Sequence, residues 1–456
     1  MMETRVALTK HQYTELRAHL FPGDGLEAVA LLICGRGRGT RREQLLGRRL
    51  IPVPPERLLR REHDFVEWPV DEFLLPLVEE MEREDLGVLV VHCHPEGGRY
   101  FSSADDDGDR SLFPSIHSWF DRQGAHGAAV MMPNGEIIGR FVGPDGSFRL
   151  VDTVSIPGDD IHLFHALAAE PEIPEHARRL VQTFGHGTYQ RLKRLKIAVV
   201  GCSGTGSVVI ELLARNCVGK LVLVDDDRME AKNLNRIVNS TSAQAAAGRF
   251  KVESLREAVL GFGLGVQVEV YSSMLEGDAL AAVSECDVVF GCMDKLMGRH
   301  VLNSLCSAYC LPLFDVGVEI EADGMGGISQ AVADAHYIQP GGSSLMGRGV
   351  YTPETLTAEV WERTDPEFYE RQKVAGYLAS VGEDRPAVMP LNMMASNGAV
   401  IDLLARLHGF RLDPNSDFAR QRWSITHGYY EHGDDGPACP YMGNLVGLGD
   451  GWRPEC

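Results

Sequence analysis

The segment "HCHPEGGRYFSSAD" holds two histidines one residue apart, His92 and His94, then a hydroxyl at Ser102 and a carboxylate at Asp105. Alternate side chains of an extended strand face the same side, so both imidazoles can address one cation. Asp105 can return after the glycine-containing excursion to add an oxygen. Two neutral nitrogens and one carboxylate leave a fourth position on Zn2+ for water, the arrangement of a catalytic rather than a structural site. Water attacking a carbonyl also needs a base and a donor for the developing oxyanion. Glu27, beside the apolar run "AVALLIC", is the candidate base and Ser102 the candidate donor. The same spacing equally suits a polar turn at a strand end followed by a solvated acidic run.

A second constellation begins at "GCSGTGS", where Gly201, Gly204 and Gly206 punctuate a turn between a strand and a helix. Such glycines let backbone N–H groups approach a phosphate, and the helix N-terminus favours negative charge. The next strand ends in Asp225, Asp226 and Asp227, and a carboxylate there accepts from ribose hydroxyls in NAD and ATP sites alike. Beyond it, Asn233, Asn235 and Arg236 could hold a triphosphate attacked at its α-phosphorus, with Lys251 neutralising phosphate and Asp294 holding Mg2+. Hydride transfer has no need of that charge arrangement, although an NAD-dependent oxidoreductase would share the glycine turn and Asp225.

Positioning these groups requires an α/β protein of two units, which the length of 456 residues also favours. "LEAVALLIC" reads as a helix end or a buried strand, "DEFLLPLVEEMERED" as an amphipathic helix and "LGVLVVHCH" as a buried strand running into the histidines. Short strands broken at Asn134-Gly135 and Asp145-Gly146 close a first mixed α-β domain over residues 1–158. Residues 159–195 read as a charged helical connector. Residues 196–425 form a second domain with a Rossmann-like parallel sheet, opened by "IAVVG" and continued by "CDVVFGCMD" and "LPLFDVGVE"; residues 426–456 form an irregular tail.

A net charge of −20 argues against nucleic acid as a partner. The basic stretch Gly35 to Arg49, "GRGRGTRREQLLGRR", reads as a solvated loop and helix face, with a docking surface as the alternative. No window offers a membrane span or a secretion signal, so a cytoplasmic location is the expectation. The ten cysteines lack a framework spacing and fit a reducing compartment.

With those residues in place, "HCHPEGGRYFSSAD" resembles the JAMM (JAB/MPN) metalloprotease motif: histidine, any residue, histidine, seven residues, serine, two residues, aspartate. The resemblance covers about residues 10–158 and implies Zn2+ held by His92, His94 and Asp105, with Glu27 activating water and Ser102 aiding the oxyanion. Where relatives usually carry a glycine three residues after that glutamate, this chain has Ala30. The implied reaction is hydrolysis of a peptide or isopeptide bond after the tail of a ubiquitin-like protein.

From about residue 175 to 411 the chain is similar to the ThiF/MoeB/E1 family of adenylating enzymes, through "GCSGTGS", "DDD…NLNR", "GRFKVESL", "VVFGCMD" and the later "QKVAGYL" and "MPLNMMASNGAVIDLLARL". The resemblance implies ATP bound at the glycine turn. Asp227 would contact ribose or metal, Asn235, Arg236 and Lys251 the phosphates, and Asp294 the Mg2+. It also makes Arg179, or its neighbour Arg178, the arginine that reaches an ATP site, often that of a partner subunit, so a homodimer is expected. The implied partner is a small ubiquitin-like or sulfur-carrier β-grasp protein whose C-terminal carboxylate is adenylated, followed by an E2-like protein or another acyl acceptor. A regulatory scaffold that kept both folds but lost turnover is the rival from another class.

The chain departs from relatives that carry a CxxC zinc pair and a cysteine in the crossover loop. Ser344 and Gly347 stand near the pair's positions, and residues 311–438 contain no cysteine, so no structural zinc is expected there. Cys306 and Cys310 read as core thiols. Cys439 and Cys456 read as the better exposed candidates for thiol chemistry.

Overall fold

The computed structural model describes residues 2–166, 172–323, 325, 327–369 and 388–454. They fall into two compact units: Met1–Ala169 with Ser307–Cys310 and Asn444–Cys456, and Glu170–Cys306 with Leu311–Gly443.

The first unit contains strands β1 (Glu3–Ala7), β2 (Val29–Arg38), β3 (Arg42–Pro52), β4 (Arg60–Arg61), β5 (Val66–Glu67), β6 (Gly87–Cys93), β7 (Gly127–Met131), β8 (Ile137–Val142), β9 (Phe148–Leu150), β10 (Thr153–Pro157) and β11 (Ile161–His165). Its main sheet runs β11-β10-β1-β3-β2-β6-β7-β8-β9, while β4 and β5 pair separately. β2 is central, which explains its unbroken apolar run: Ala30, Leu32 and Cys34 join one core with Leu16 and Leu20 of the helix Lys10–Leu20. Val29, Leu31 and Ile33 join the other, with Phe113 and Ile116 of the helix Ser103–Ser118. A strand covered on both faces shows no alternation to read.

Several elements differ from the sequence-based expectation. The basic stretch from Gly35 to Arg49 is the end of β2, a turn and most of β3, neither loop nor helix. Its glycines blur the two-residue period, and Arg36 is buried because it pairs with Asp85 at 2.7 Å. The expected helix over Asp71–Asp85 is split around Pro76 into Val70–Phe73, a 3-10 turn at Leu75–Leu77 and Val78–Glu84. Residues 161–165 form a strand paired with β10 where a helix was expected. The tail is not simply irregular: it begins with a strand and the helix Pro440–Leu445. Within the first unit its last part lies against β2, where Asp450 N–H donates to Arg36 O at 2.8 Å.

The second unit contains β12 (Lys196–Val200), β13 (Lys220–Val224), β14 (Gln267–Tyr271), β15 (Val288–Gly291), β16 (Leu313–Ala322), β17 (Ile328–Ile338), β18 (Arg420–Ser424) and β19 (Tyr429–Gly433). The order is β14-β13-β12-β15-β16-β17-β18-β19. β14 to β16 are parallel and β17 to β19 antiparallel. The sheet order reverses at β12, the place where open α/β sheets leave a crevice at their strand ends. The helix Arg178–Arg194 is interrupted at Gly185, whose φ of 80° and ψ of 166° are not helical. Its second half is tied to the helix Met389–His408 by Thr188 and His408 at 2.6 Å and by Arg191 donating to Leu407 O. "QKVAGYL" lies outside the described residues. Among the described residues no helix is long and apolar enough to cross a membrane.

Gly398 sits inside the helix Met389–His408, where alanine would favour helix by about 1 kcal/mol. A Cβ there would stand 2.1 Å from the Trp423 ring, so packing opposes propensity. Gly398→Ala is therefore expected to destabilise the protein by about 1–3 kcal/mol in denaturant unfolding. An increase in stability would show that the Trp423 contact does not constrain the helix.

Candidate metal and nucleotide sites

His92 lies on β6, between Val29 of β2 and Val130 of β7, and His94 follows immediately after the strand. Their Nε2 atoms are 3.3 Å apart. His94 Nδ1 sits 2.8 Å from Gly98 O; donating there places its proton on Nδ1 and leaves the Nε2 lone pair facing inward. Asp105 stands 3.1 Å from His92 Nε2 and 3.5 Å from His94 Nε2, and Glu27 is 4.0 Å from the latter. Glu27, His92 and His94 offer ligand atoms within 4.8 Å of one another. Two imidazole nitrogens and two carboxylates converge in a buried place, and this nitrogen-oxygen donor set suits Zn2+.

The carboxylates differ in charge state. Burial raises the pKa of Asp105, but the two imidazoles beside it and the N–H of the Ser102 backbone outweigh it and hold the group far below the ordinary carboxylate range. Burial pushes Glu27 up to about 7, with the histidines only partly opposing it. In the absence of an ion, Asp105 thus holds its negative charge firmly, while Glu27 binds a proton more readily than a free carboxyl group.

The sequence around Asp105 also makes a helix start. Ser102 Oγ accepts the Asp105 N–H at 3.1 Å, and Ser102 N–H donates to Asp105 Oδ2 at 2.6 Å, a capping box. One residue pair therefore ends the excursion, starts the helix and aims the carboxylate. Sequence reasoning missed Arg140, which donates to Asp106 and Asp109 on that helix while lying over the Phe101 and Phe148 rings. Its aromatic and acidic partners are dispersed along the chain, and no local spacing marks them. Ala30, the departure from the usual glycine, packs fully buried in the core.

At the end of β12, Gly201 takes a φ of +88°, and a Cβ there would stand 2.5 Å from Cys292 O beyond β15. A Cβ on Gly206 would stand 1.9 Å from Gly201 O. Both positions require glycine because backbones meet there. Asp225, just beyond β13, accepts Cys202 N–H at 2.6 Å and Asp227 N–H at 2.9 Å. Both its oxygens thus serve the turns; burial raises its pKa, with Lys251 opposing. Lys251 is buried, 2.6 Å from the exposed Asp227 carboxylate and 3.9 Å from Asp225. Asn233 is buried and accepts Glu230 N–H. Asn235 is exposed and Arg236 half-buried, its guanidinium donating to Lys232 O. Asp294 is exposed beyond β15, and Arg179 is exposed in the first turn of its helix. The structure joins the glycine turn, Asp225, Asp227 and Lys251 into one cluster.

Cys439, expected to be exposed, is buried: its N–H donates to Gly342 O as it enters the helix Pro440–Leu445. Cys306 and Cys310 are buried as expected, and burial pushes Cys310 up to about 11. Cys456 lies outside the described residues.

A parallel sheet with a glycine turn at its reversal, joined to a unit in which two histidines and two carboxylates converge, is the layout of a Rossmann-like domain fused to a JAMM-like domain. The chain belongs to the ThiF family, whose pattern matches residues 176–417, more than half of the chain. Residues 9–134 match the prokaryotic homologs of the JAB domain. The ubiquitin-like modifier-activating enzyme 5 of Drosophila pseudoobscura pseudoobscura is 31% identical over 147 residues, 29% of this chain and 36% of that protein. The adenylyltransferase and sulfurtransferase MOCS3 of Drosophila ananassae is 29% identical over 174 residues, 36% of this chain and 38% of that protein. The chain thus spans about two fifths of the curated relatives it matches. A crystal structure of MccB from E. coli is 19% identical, with a TM-score of 0.46, over 60% of this chain and 74% of that one.

The capping geometry predicts that Ser102→Ala lowers stability by about 1 kcal/mol. Ser102→Asn, which caps without a hydroxyl, should restore it in thermal unfolding. Equal stability of the alanine variant and the wild type would count against the cap.

Proposed function

We propose that this chain is a bifunctional enzyme of a ubiquitin-like or sulfur-carrier pathway. One unit is a zinc-dependent peptidase or isopeptidase, and the other adenylates the C-terminal carboxylate of a small β-grasp protein with ATP. The observation that carries this reading is the presence of two clusters on one chain: the convergent His92, His94, Asp105 and Glu27, and the glycine turn joined to Asp225, Asp227 and Lys251.

In the first unit His92, His94 and Asp105 would hold Zn2+, which supplies Lewis acidity for attack of water on a carbonyl. Glu27 takes the water's proton and returns it to the leaving amine, a task suited by its raised proton affinity. The Ser102 hydroxyl, which accepts from Asp105 N–H, still has its own proton to donate to the oxyanion.

In the second unit the carrier's carboxylate oxygen attacks the α-phosphorus of ATP. A P–O bond forms to the acyl oxygen, the bond to the β-phosphate oxygen breaks, and pyrophosphate leaves. Gly201, Gly204 and Gly206 admit the phosphates to the helix N-terminus. Arg236 and Lys251 neutralise them, Asn235 donates to them, Asp225 shapes the turn, and Asp227 holds ribose or metal. Asp294 would hold Mg2+, and Arg179 would serve the site of a second copy in a homodimer. The adenylate then passes to an E2-like or other acyl-acceptor protein.

Two measurements test the two halves. Purified protein should carry about one zinc per chain and cleave carrier fusions, and His94→Ala should lose both. A folded wild type that binds no zinc overturns the peptidase half. With a panel of β-grasp carriers, carrier-dependent ATP-pyrophosphate exchange should appear and vanish in Asp294→Ala. Absence of exchange with every pretrimmed carrier would favour the scaffold reading.

A further inference from the structure

We infer that the side-chain amide of Asn392 is a phosphate ligand of the nucleotide site, supplied to the glycine turn by the helix Met389–His408. The inference rests on the adenylation reading above and adds a residue to it.

Asn392 is 1% exposed, and among the described residues its Nδ2 has no hydrogen-bond partner. A buried donor left without an acceptor is costly, and an aliphatic side chain of the same size would avoid that cost. Its position suggests what the donor faces. A Cβ on Gly204 would stand 2.2 Å from Asn392 Nδ2 and 3.5 Å from Arg236 Cδ, so the amide lies against the turn and close to a cation assigned to phosphate. One helical turn later Ser396 donates to Thr205 O at 3.0 Å. Residues four apart share a helix face, so Asn392 and Ser396 both address the glycine turn.

The turn has its own unmet need. The helix Gly204–Arg215 begins at Ser203 without a side-chain cap, leaving first-turn N–H groups for an anion. An oxygen of bound phosphate can accept from these groups and from the amide together. A neutral amide adds a donor without adding charge to a region that already holds Arg236 and Lys251. Glycine at 204 is explained by the same contact, because any larger residue would displace the amide.

The test compares wild type, Asn392→Leu and Asn392→Asp by calorimetric titration with ATP and by thermal unfolding without nucleotide. Asn392→Leu should unfold at the same or a higher temperature and bind ATP about tenfold or more weakly, as loss of a hydrogen bond to a charged oxygen requires. Asn392→Asp, which places an anion at the same spot, should weaken ATP further. Unchanged ATP affinity in Asn392→Leu overturns the inference, as does weaker binding accompanied by a lowered unfolding temperature, which marks a packing role. Aspartate no worse than leucine removes phosphate from the assignment. A wild type that binds no ATP overturns the adenylation reading, and the inference falls with it.

Discussion

Two hydrogen bonds to one carboxylate set the geometry of the second unit. Asp225 accepts N–H groups from Cys202, in the glycine turn after β12, and from Asp227, in the acidic turn after β13. These bonds lock two neighbouring strand ends into one rim, and the contact between Gly201 and Cys292 O brings in the third. Everything proposed for the nucleotide hangs on that rim: the open helix start, the Lys251 ammonium held by Asp227, and the amide on the far helix. The buried charge is tolerable because backbone dipoles and Lys251 surround it.

The first unit uses the same device. Asp105 also accepts a backbone N–H while facing the two histidines, so its orientation is fixed by the fold before any ligand arrives. In both units an acid placed just beyond a strand or at the start of a helix organises main chain as well as facing a site. That dual use explains why a neutral replacement at either position would disturb more than charge.

Much of this was legible in the sequence where chemistry and local geometry coincide. The His92, His94, Asp105 spacing is a strand end, a fixed excursion and a helix cap, all local. The parallel strands read as apolar runs because both faces are covered. Legibility failed where partners come from afar. Arg36 looks like surface charge until Asp85 is brought beside it. Residues 161–165 become a strand only because β10 offers an edge. Cys439 is buried, its backbone tied to Gly342, nearly a hundred residues earlier in the chain. Spacing places three carboxylates at the strand end without revealing that both Asp225 oxygens accept backbone N–H groups. Asn392 carried no signal at all: an asparagine in an apolar helix is unremarked until its neighbour is a glycine turn.

The interruption at Gly185 has a consequence for Arg179. In an unbroken helix each residue turns by about 100°, so the azimuth of position 179 would be dictated by how Thr188 and Arg191 lock against the Met389–His408 helix. One non-helical residue erases that phase relation. The two halves meet at Gly185 without a shared phase, and the bearing of the first is set by its own packing: Leu180 and Val181 lie against the Tyr189 and Cys217 cluster, and Phe184 lies against the His408 and Phe410 rings. Substitutions at Tyr189, His408 or Phe410 would then re-aim the arginine, whereas changes confined to the Thr188 and Arg191 ties would act on the anchored half alone.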